Sequence, residues 1–335
     1  MSGFVTLTAQ NGELFSNNSS VGSGTGSFQY LVTSSSNIEI DTDAIMTIYN
    51  NNPQYKYNAL GSGLNRPVRS LALDSNNNLY VGGDFTDAGG IPAHYIAKWS
   101  GSTWYALGGG LNGSVRSLAL DSSNNLYVGG NFTRAGGIGG KISHNIAKWN
   151  GSTWYALGNG RGLNGSVTSL ALDSNNNLYV GGYFTQAGGI PANNIAKWSG
   201  ATWYALGGGL NDSVASLAFD SNNNLYVGGY FIDAGGIPAN NIAKWDGSTW
   251  SALDNGLDDS VKSLAFDSNN NLYVGGDFTH AGGILANNIA NLETNTSVDI
   301  HINNNYISTL VSNQFQCVNY YKSNGYIYKT TQGYR

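Results

Sequence analysis

The pentapeptide Leu79-Tyr-Val-Gly-Gly83 decides the fold, because it occurs five times and begins at Leu79, Leu126, Leu178, Leu225 and Leu272. The successive spacings are 47, 52, 47 and 47 residues. A repeat of about 40 to 50 residues with strand-like patterning is typical of a β-propeller blade, which is a four-stranded sheet. The spacing therefore predicts an all-β propeller, whose function must be sought in the residues that the blades present.

Each repeat contains four strand-like segments. In the first repeat, residues 68–74 and 79–85 have strand patterning on either side of a Ser-Asn-Asn-Asn turn, and a glycine-rich loop follows over residues 86–92. Two shorter strands, residues 95–99 and 104–107, flank a turn of four residues. Connections this short require antiparallel pairing between neighbouring strands.

Composition excludes several classes of partner. Charged residues make up 10% of the 335-residue chain, whereas ordinary soluble domains have about 25%. A hydrophobic content of 41% still supplies a core, so we expect the chain to fold. The net charge of −5 and the lack of a Lys or Arg run argue against nucleic acid or an anionic membrane as the main partner. Cys317 is the only cysteine, so no internal disulfide is expected.

Targeting signals are not evident in the sequence. The first 15 residues lack both a basic segment and an apolar stretch of signal-peptide length, and no apolar run of 18 residues occurs. We therefore predict synthesis in a cytoplasm and no insertion into a membrane.

The order of motifs within a repeat resembles a known family. The double glycine after the second strand and the tryptophan near the fourth resemble kelch-type repeats. The Gly-Gly-x-Phe, Ala-Gly-Gly, Asn-Asn-Ile-Ala-x-Trp and Ala-Leu-Gly elements resemble still more the repeats of bacterial surface propellers and of Rax2-type cortical markers, over residues 54–292. The resemblance implies a propeller that serves in binding and display.

Five blades account for the repeats. The two inner strands occur five times, but the tryptophan pair occurs only four times, and Leu292 stands where the fifth pair would begin. Tyr57-Asn-Ala-Leu60 matches Trp104-Tyr-Ala-Leu107, so it is a candidate for the missing fourth strand. We predict a five-bladed propeller over residues 53–292, closed by this N-terminal strand. A six-bladed ring is the alternative if residues 28–50 build another sheet.

The two ends of the chain also have strand patterning. Residues 1–52 and 293–335 would emerge at the same blade of a five-bladed ring, so we predict that they pair in a small β-sandwich or barrel, a module that could also form an oligomer. The strings Ile307-Ser-Thr-Leu310 and Gly325-Tyr-Ile-Tyr328 resemble the closing strands of virion fibre modules.

Two recurring motifs are interpreted as structural. The Asp74-Ser-Asn-Asn-Asn78 string begins like a calcium loop, but Leu79 occupies the sixth position and Phe85 the twelfth, where glycine and glutamate belong. A side-chain-capped turn explains it, and we predict neither a metal nor a cofactor. The tryptophan pairs recur at fixed positions, which favours core packing over sugar stacking.

The candidate binding face lies where otherwise matched repeats differ, because residues outside the fixed frame are free to contact a ligand. The varied positions after the second strand, together with two histidines that replace asparagine nearby, are Asp84, Asn131, Tyr183, Tyr230, Asp277, Asp87, Arg134, Gln186, Asp233, His280, His94 and His144. Only the second repeat carries the longer loop Gly139-Gly-Lys-Ile-Ser143.

Catalysis has little support in the sequence. The four histidines are scattered, and no Gly-x-Ser-x-Gly motif occurs. We predict that the chain is not an enzyme but a structural or interaction protein that presents a binding face to a protein or glycan surface, in a setting such as a virion surface or fibre. A multivalent lectin is the first alternative. A glycoside hydrolase with Asp84 and Asp277 as its acids is the second.

Overall fold

The computed structural model describes residues 56–293, apart from 138 and 159, and four short strands nearer the ends. The chain divides into two compact units, Met1–Leu60 and Gly61–Arg335. In the first unit, Leu7–Gln10 pairs with Glu13–Ser16, and near the C-terminus Tyr320–Ser323 pairs with Tyr326–Lys329, each as an antiparallel hairpin. The predicted sandwich or barrel of the two chain ends otherwise lies outside the described residues and stays a prediction.

Five consecutive antiparallel sheets, here called blades 1 to 5, make up the second unit. The innermost strands are Val68–Leu73, Val115–Leu120, Ser166–Leu172, Val214–Phe219 and Val261–Phe266, and the second strands are Leu79–Gly83, Leu126–Gly130, Leu178–Tyr183, Leu225–Gly229 and Leu272–Gly276. The third strands are Ile96–Ser100, Ile146–Trp149, Ile195–Ser199, Ile242–Trp245 and Ile289–Leu292, and the outermost strands of blades 1 to 4 are Thr103–Ala106, Trp154–Ala156, Thr202–Ala205 and Trp250–Ala252. The prediction of an all-β fold built from repeated four-stranded antiparallel sheets is confirmed.

The glycine-rich loop of each blade contains a small hairpin that the sequence patterning did not predict. These hairpins pair Asp87–Ala88 with Ile91–Pro92, Arg134–Ala135 with Lys141–Ile142, Gln186–Ala187 with Ile190–Pro191, Asp233–Ala234 with Ile237–Pro238, and His280–Ala281 with Ile284–Leu285. The alanine of each hairpin also bridges to a leucine of the segment leading into its own blade, for example Ala88 to Leu64. Two-residue strands are too short for periodicity to reveal them.

The turn between the first two strands is held by its aspartate, as the sequence predicts. In blade 1 the Asp74 carboxylate accepts hydrogen bonds from the backbone N–H groups of Asn76 and Asn78, each at 2.9 Å, and from the Asn78 side chain. Burial raises the pKa of Asp74, but these hydrogen bonds outweigh it and leave the pKa below its usual value. Asn77 adopts a left-handed backbone with φ of 61°, which asparagine tolerates better than most residues.

Adjacent blades meet in four junctions of the same construction. Val115 of blade 2 packs onto Gly82 of blade 1 so closely that a Cβ at Gly82 would lie 2.3 Å from it. The backbone N–H of Leu118 donates to the Ser70 hydroxyl at 3.0 Å. The same valine-on-glycine contact joins Val167 to Gly129, Val214 to Gly181, and Val261 to Gly228. Only glycine leaves room for this approach, which explains the first glycine of the repeated pentapeptide.

The tryptophan pairs belong to the core, as predicted. In each pair the ring centroids are 5.2 Å apart, and six of the eight tryptophans are buried. Buried rings at this separation contribute packing energy and are closed to a sugar.

Blade 5 differs from the others because its sheet has three strands. Residues 56–60 form no strand, and the Tyr57 side chain is fully exposed, so the structure does not bear out the predicted N-terminal closing strand. A cavity of about 170 Å³, lined in part by Val274, Leu257 and Leu292, lies in blade 5. Closure into a ring of five or six blades therefore stays a prediction.

Within the described residues, no helix is long and apolar enough to cross a membrane.

Candidate binding site between blades 2 and 3

Two insertions make blade 2 and the segment after it different from the other repeats. Nine positions separate Ala135 from His144, whereas six separate Ala88 from His94. The connector that leads into blade 3 is lengthened by two residues, since six positions separate Leu157 from Leu163 where the other connectors have four. Together the insertions account for the one spacing of 52 residues. The sequence-based prediction recognised the longer loop of blade 2 but missed the longer connector, although the same spacing signals both.

Both insertions line one pocket. It has a volume of about 580 Å³ and is bounded by Ile142 and His144 of blade 2, by residues 160–162 and 164 after the blade, and by Gln186 and Gly189 of blade 3. His144 and Gln186 belong to the predicted binding set, whereas Arg161 does not. The structure thus brings together two of the predicted residues and adds an arginine that only the longer connector supplies.

Arg161 is the principal charged group of the pocket. Its side chain crosses Gly189 so closely that a Cβ there would lie 3.1 Å from Nη1. Arg134 and Lys141 extend the positive charge along the neighbouring hairpin, where the Arg134 Nη1 donates to the Gly140 carbonyl at 3.2 Å and the Lys141 ammonium lies 5.0 Å from the centre of the Tyr155 ring. Among the described residues none of these three cations forms an ion pair. Only Arg161 lines the pocket itself, so the pocket has one positive charge that no carboxylate of the described residues neutralises.

The two buried side-chain polar atoms without a hydrogen-bond partner in the described part of the chain also lie in this region. They are the Ser143 hydroxyl and the Trp203 indole Nε1. Ser143 precedes His144 and occupies a position where blades 1, 3 and 4 have a buried alanine. In blade 2 the corresponding indole, that of Trp154, donates to the Leu107 carbonyl at the start of the preceding connector, at 2.8 Å. The connector at the equivalent position for Trp203 is the lengthened one. The Trp203 indole therefore lacks the hydrogen bond that its counterparts Trp154 and Trp250 make.

Other predicted residues contact cationic side chains of the innermost strands. Asp84 accepts hydrogen bonds from the Arg69 guanidinium, with Nε at 2.9 Å, and Lys262 contacts both Asp277, at 2.9 Å, and the Tyr230 hydroxyl. The hydrogen bond from Arg69 lowers the pKa of Asp84, and the hydrogen bond from Lys262 lowers the pKa of Asp277. A glycosidase needs one carboxyl with a raised pKa as its general acid, so these environments do not support the hydrolase alternative.

The rest of the predicted set serves the frame or stands alone on the surface. Asp87 and Asp233 accept hydrogen bonds from the backbone N–H groups of Gly90 and Gly236, at 3.0 and 2.9 Å, and cap the small hairpins. His280 lies 3.0 Å from the Asp258 carboxylate. The remaining residues do not join the pocket: His94, Asn131 and Tyr183. Within the described residues, no cluster of three or more His, Cys, Asp or Glu side chains could hold a metal ion.

Comparison with known families agrees with this architecture. The family model described as the Rax2 C-terminal beta propeller domain matches residues 46–171, 105–202 and 194–332. The chain belongs to this family. No curated protein matches the sequence. The resemblance to Rax2-type repeats is thereby confirmed, while the comparisons do not show the resemblance to virion fibre modules, which stays a prediction.

Solved structures similar to the chain are propellers of varied function. The extracellular domain of BT4673, a putative one-component system from B. thetaiotaomicron, is 15% identical, with a TM-score of 0.43, 66% of this chain covered and 29% of that chain covered. The WD40 beta propeller domain of Doa1 is 17% identical, with a TM-score of 0.44 and coverages of 64% and 63%. The chain thus spans less than a third of the BT4673 domain.

The prediction that the chain is not an enzyme is wrong, because it was drawn from the repeats alone and enzymes occur among the similar structures. The similar structures include XC5397 from Xanthomonas campestris, a gluconolactonase, at 14% identity, with a TM-score of 0.39 and coverages of 62% and 69%. Identity this low shows only the fold, and a propeller fold by itself neither establishes nor excludes catalysis.

Proposed function

We propose that this protein is an interaction protein that binds a partner through the pocket between blades 2 and 3, and that the pocket receives a carboxylate-bearing segment of the partner. One observation carries the proposal: the two departures from an otherwise regular repeat meet at a single pocket, whose Arg161 has no carboxylate partner among the described residues. Side chains that vary against a fixed frame are free to serve recognition.

The chemistry of the pocket favours a carboxylate. Arginine presents donors in a planar fork that matches a carboxylate, and His144 also lines the pocket. Gln186 offers both an amide donor and an amide acceptor, which suits a peptide backbone.

A surface assembly, such as a virion surface or fibre, is the setting that we propose. The fibre-like strings near the C-terminus and the low content of charged residues support it. A mass-spectrometric inventory of purified particles would test the setting separately from the binding chemistry, and absence of the protein from every particle fraction would contradict it.

A lectin role is the second candidate and would use the same pocket. Six of the eight tryptophans are buried, and Arg161 lines the pocket, so we expect a glycan ligand of this pocket to be acidic. Binding of sialylated or sulfated glycans, with no binding of acidic peptides, would favour this alternative.

The test uses the full-length chain on an array of acidic peptides, with a glycan array in parallel. The best-binding peptide is then titrated against Arg161→Ala and against a variant in which residues 158–162 are replaced by the three glycines of the blade 1 connector. We expect both changes to weaken binding at least about tenfold, because each removes a charge-assisted contact. Arg116→Ala is the matched control, since Arg116 is exposed and lies outside the pocket lining. Retained affinity in both pocket variants, equal loss in the control, or no binding to any acidic peptide would refute the proposal.

A further inference from the structure

A second groove lies between blades 3 and 4, apart from the pocket that contains Arg161. Its volume is about 290 Å³, which is near the lower end for small-molecule sites. Blade 3 lines it with residues that include Tyr179, Lys197 and Tyr204, and blade 4 contributes Trp245. A groove of this size holds one small ring of a ligand and not a folded partner.

Strand register places a lysine between two tyrosines on one face of blade 3. Lys197 pairs directly with Tyr179 of the second strand and with Tyr204 of the outermost strand. Residues paired in this way lie side by side on the same face of a sheet. The Lys197 ammonium lies 5.2 Å from the centre of the Tyr179 ring, and Tyr204 is 51% exposed. The groove thus combines a cationic donor with an aromatic side chain that is open to a ligand.

The charge of this lysine is balanced within its own blade. The Lys197 ammonium lies 3.9 Å from the nearly buried Asp173 carboxylate. That distance is too long for a hydrogen bond, so the contact takes up none of the three N–H donors of the ammonium. Asp173 itself accepts hydrogen bonds from the backbone N–H groups of Asn175 and Asn177, at 2.9 and 2.8 Å. The lysine and the aspartate together therefore offer hydrogen-bond donors without net charge, in contrast to Arg161.

The same register recurs at two earlier blades. The equivalent residues are Tyr80, Lys98 and Tyr105 in blade 1 and Tyr127, Lys148 and Tyr155 in blade 2. Tyr105 is 51% exposed, as Tyr204 is. In blade 2 the Lys141 ammonium already lies 5.0 Å from the centre of the Tyr155 ring, so the open grooves are those that follow blades 1 and 3. Both lie between consecutive described blades, so neither depends on how the ends of the chain close the array.

We propose that the groove between blades 3 and 4, and its counterpart between blades 1 and 2, each bind one neutral pyranose ring of a glycan. The C–H face of a sugar ring packs on a tyrosine, and the sugar hydroxyls accept hydrogen bonds from the lysine ammonium and from the Ser199 hydroxyl, which also lines the groove. Tyrosine supplies such contact area at a low cost in conformational entropy. The balanced charge favours a neutral sugar over an acidic peptide or an acidic glycan. The proposal does not rest on carboxylate binding at Arg161.

The experiment applies the full-length chain to an array of neutral oligosaccharides and then measures binding to the best glycan, immobilised on a surface, by surface plasmon resonance. Tyr204→Ser introduces the residue that blade 4 has at the equivalent position, Ser251, and should weaken binding. Tyr105→Ser combined with Tyr204→Ser should raise the apparent dissociation constant at least about tenfold, because both rings are lost and two sites on one chain act together on a surface. Both positions are half-exposed, so the variants should fold, which circular dichroism checks.

Two controls separate the grooves from other surfaces. Tyr183→Ser makes the same substitution at a tyrosine that is 69% exposed and does not line the groove, so the affinity for the glycan should be unchanged. Arg161→Ala should also leave the affinity for the glycan unchanged, because Arg161 lines the pocket between blades 2 and 3.

Three results would overturn the proposal. The first is an array on which the chain binds no neutral oligosaccharide. The second is an unchanged dissociation constant in the folded double variant. The third is an equal loss of binding in Tyr183→Ser or in Arg161→Ala, which would place the glycan on another surface. None of these results bears on the carboxylate pocket, because that pocket is tested with acidic peptides.

Discussion

Asn194 combines a left-handed backbone with a buried hydrogen bond, and the contribution of each to the free energy of unfolding can be measured separately. It has a left-handed backbone with φ of 63°, and only 7% of it is exposed. Its side-chain N–H donates to the Leu210 carbonyl at 2.9 Å, which ties the blade to the segment that leads into the next one. Asn145 and Asn241 make the same bond in blades 2 and 4.

We expect Asn194→Ala to destabilise the fold by about 2–4 kcal/mol. The left-handed backbone accounts for about 1 kcal/mol, because alanine tolerates it less well than asparagine. The loss of the buried hydrogen bond accounts for a further 1–3 kcal/mol or so. Asn194→Gly is the matched variant, since glycine keeps the backbone and loses only the side chain. It should therefore be more stable than the alanine variant by about 1 kcal/mol.

Thermal unfolding followed by tryptophan fluorescence measures both variants, because Trp198 and Trp203 are buried in the same blade. For a domain of this size a loss of 1 kcal/mol lowers the midpoint by about 2–4 °C, so the alanine variant should melt about 4–16 °C below the wild type. Equal midpoints for the two variants would refute the strain argument. An unchanged midpoint in both would refute the role of the hydrogen bond.

Three further predictions follow from side chains of the frame. Trp154→Phe should cost about 1 kcal/mol more stability than Trp203→Phe, because only the Trp154 indole has a hydrogen-bond acceptor to lose, and equal losses in chemical denaturation would contradict this. The pKa values of Asp74 and Asp277 are lowered on folding, so these carboxyls bind protons more weakly in the folded chain; their stabilisation is full above pH 4 or so and is lost as the pH falls further, which a series of melting curves would show. Calcium and EDTA should leave the melting midpoint unchanged, since the aspartate oxygens of the turns are already occupied by N–H donors, and a calcium-dependent rise would show that the turns bind metal.

Periodicity predicted the frame because the frame repeats. The inner strands and the aspartate-capped turns each occur five times, and the tryptophan pairs occur four times. A pattern that recurs this often does not arise by chance. The contact of Val115 with Gly82 shows that the first glycine of the pentapeptide receives a side chain of the next blade. This role depends on packing between repeats, which the sequence of a single repeat cannot reveal.

The candidate site was predicted only in part, because it lies where the repeat breaks down. His144 and Gln186 were found by comparing equivalent positions. Arg161 has no equivalent in the other repeats, so the comparison passed over it. Asp84 and Asp277 varied in the same way as the pocket residues, but ion pairs within their own blades hold them. Sequence variation alone does not separate a ligand contact from a salt bridge.

The uniformity of the four junctions has a consequence during folding. Because each junction places a valine of one blade on a glycine of the preceding blade, a newly made blade can also dock on a blade other than its chain neighbour, or on a blade of another chain, and be trapped there. The lengthened connector between blades 2 and 3 changes the length of chain available at that junction alone. A connector of a different length makes this junction unlike the other three. Shortening it should therefore increase misassembly, whether or not the pocket still binds a partner.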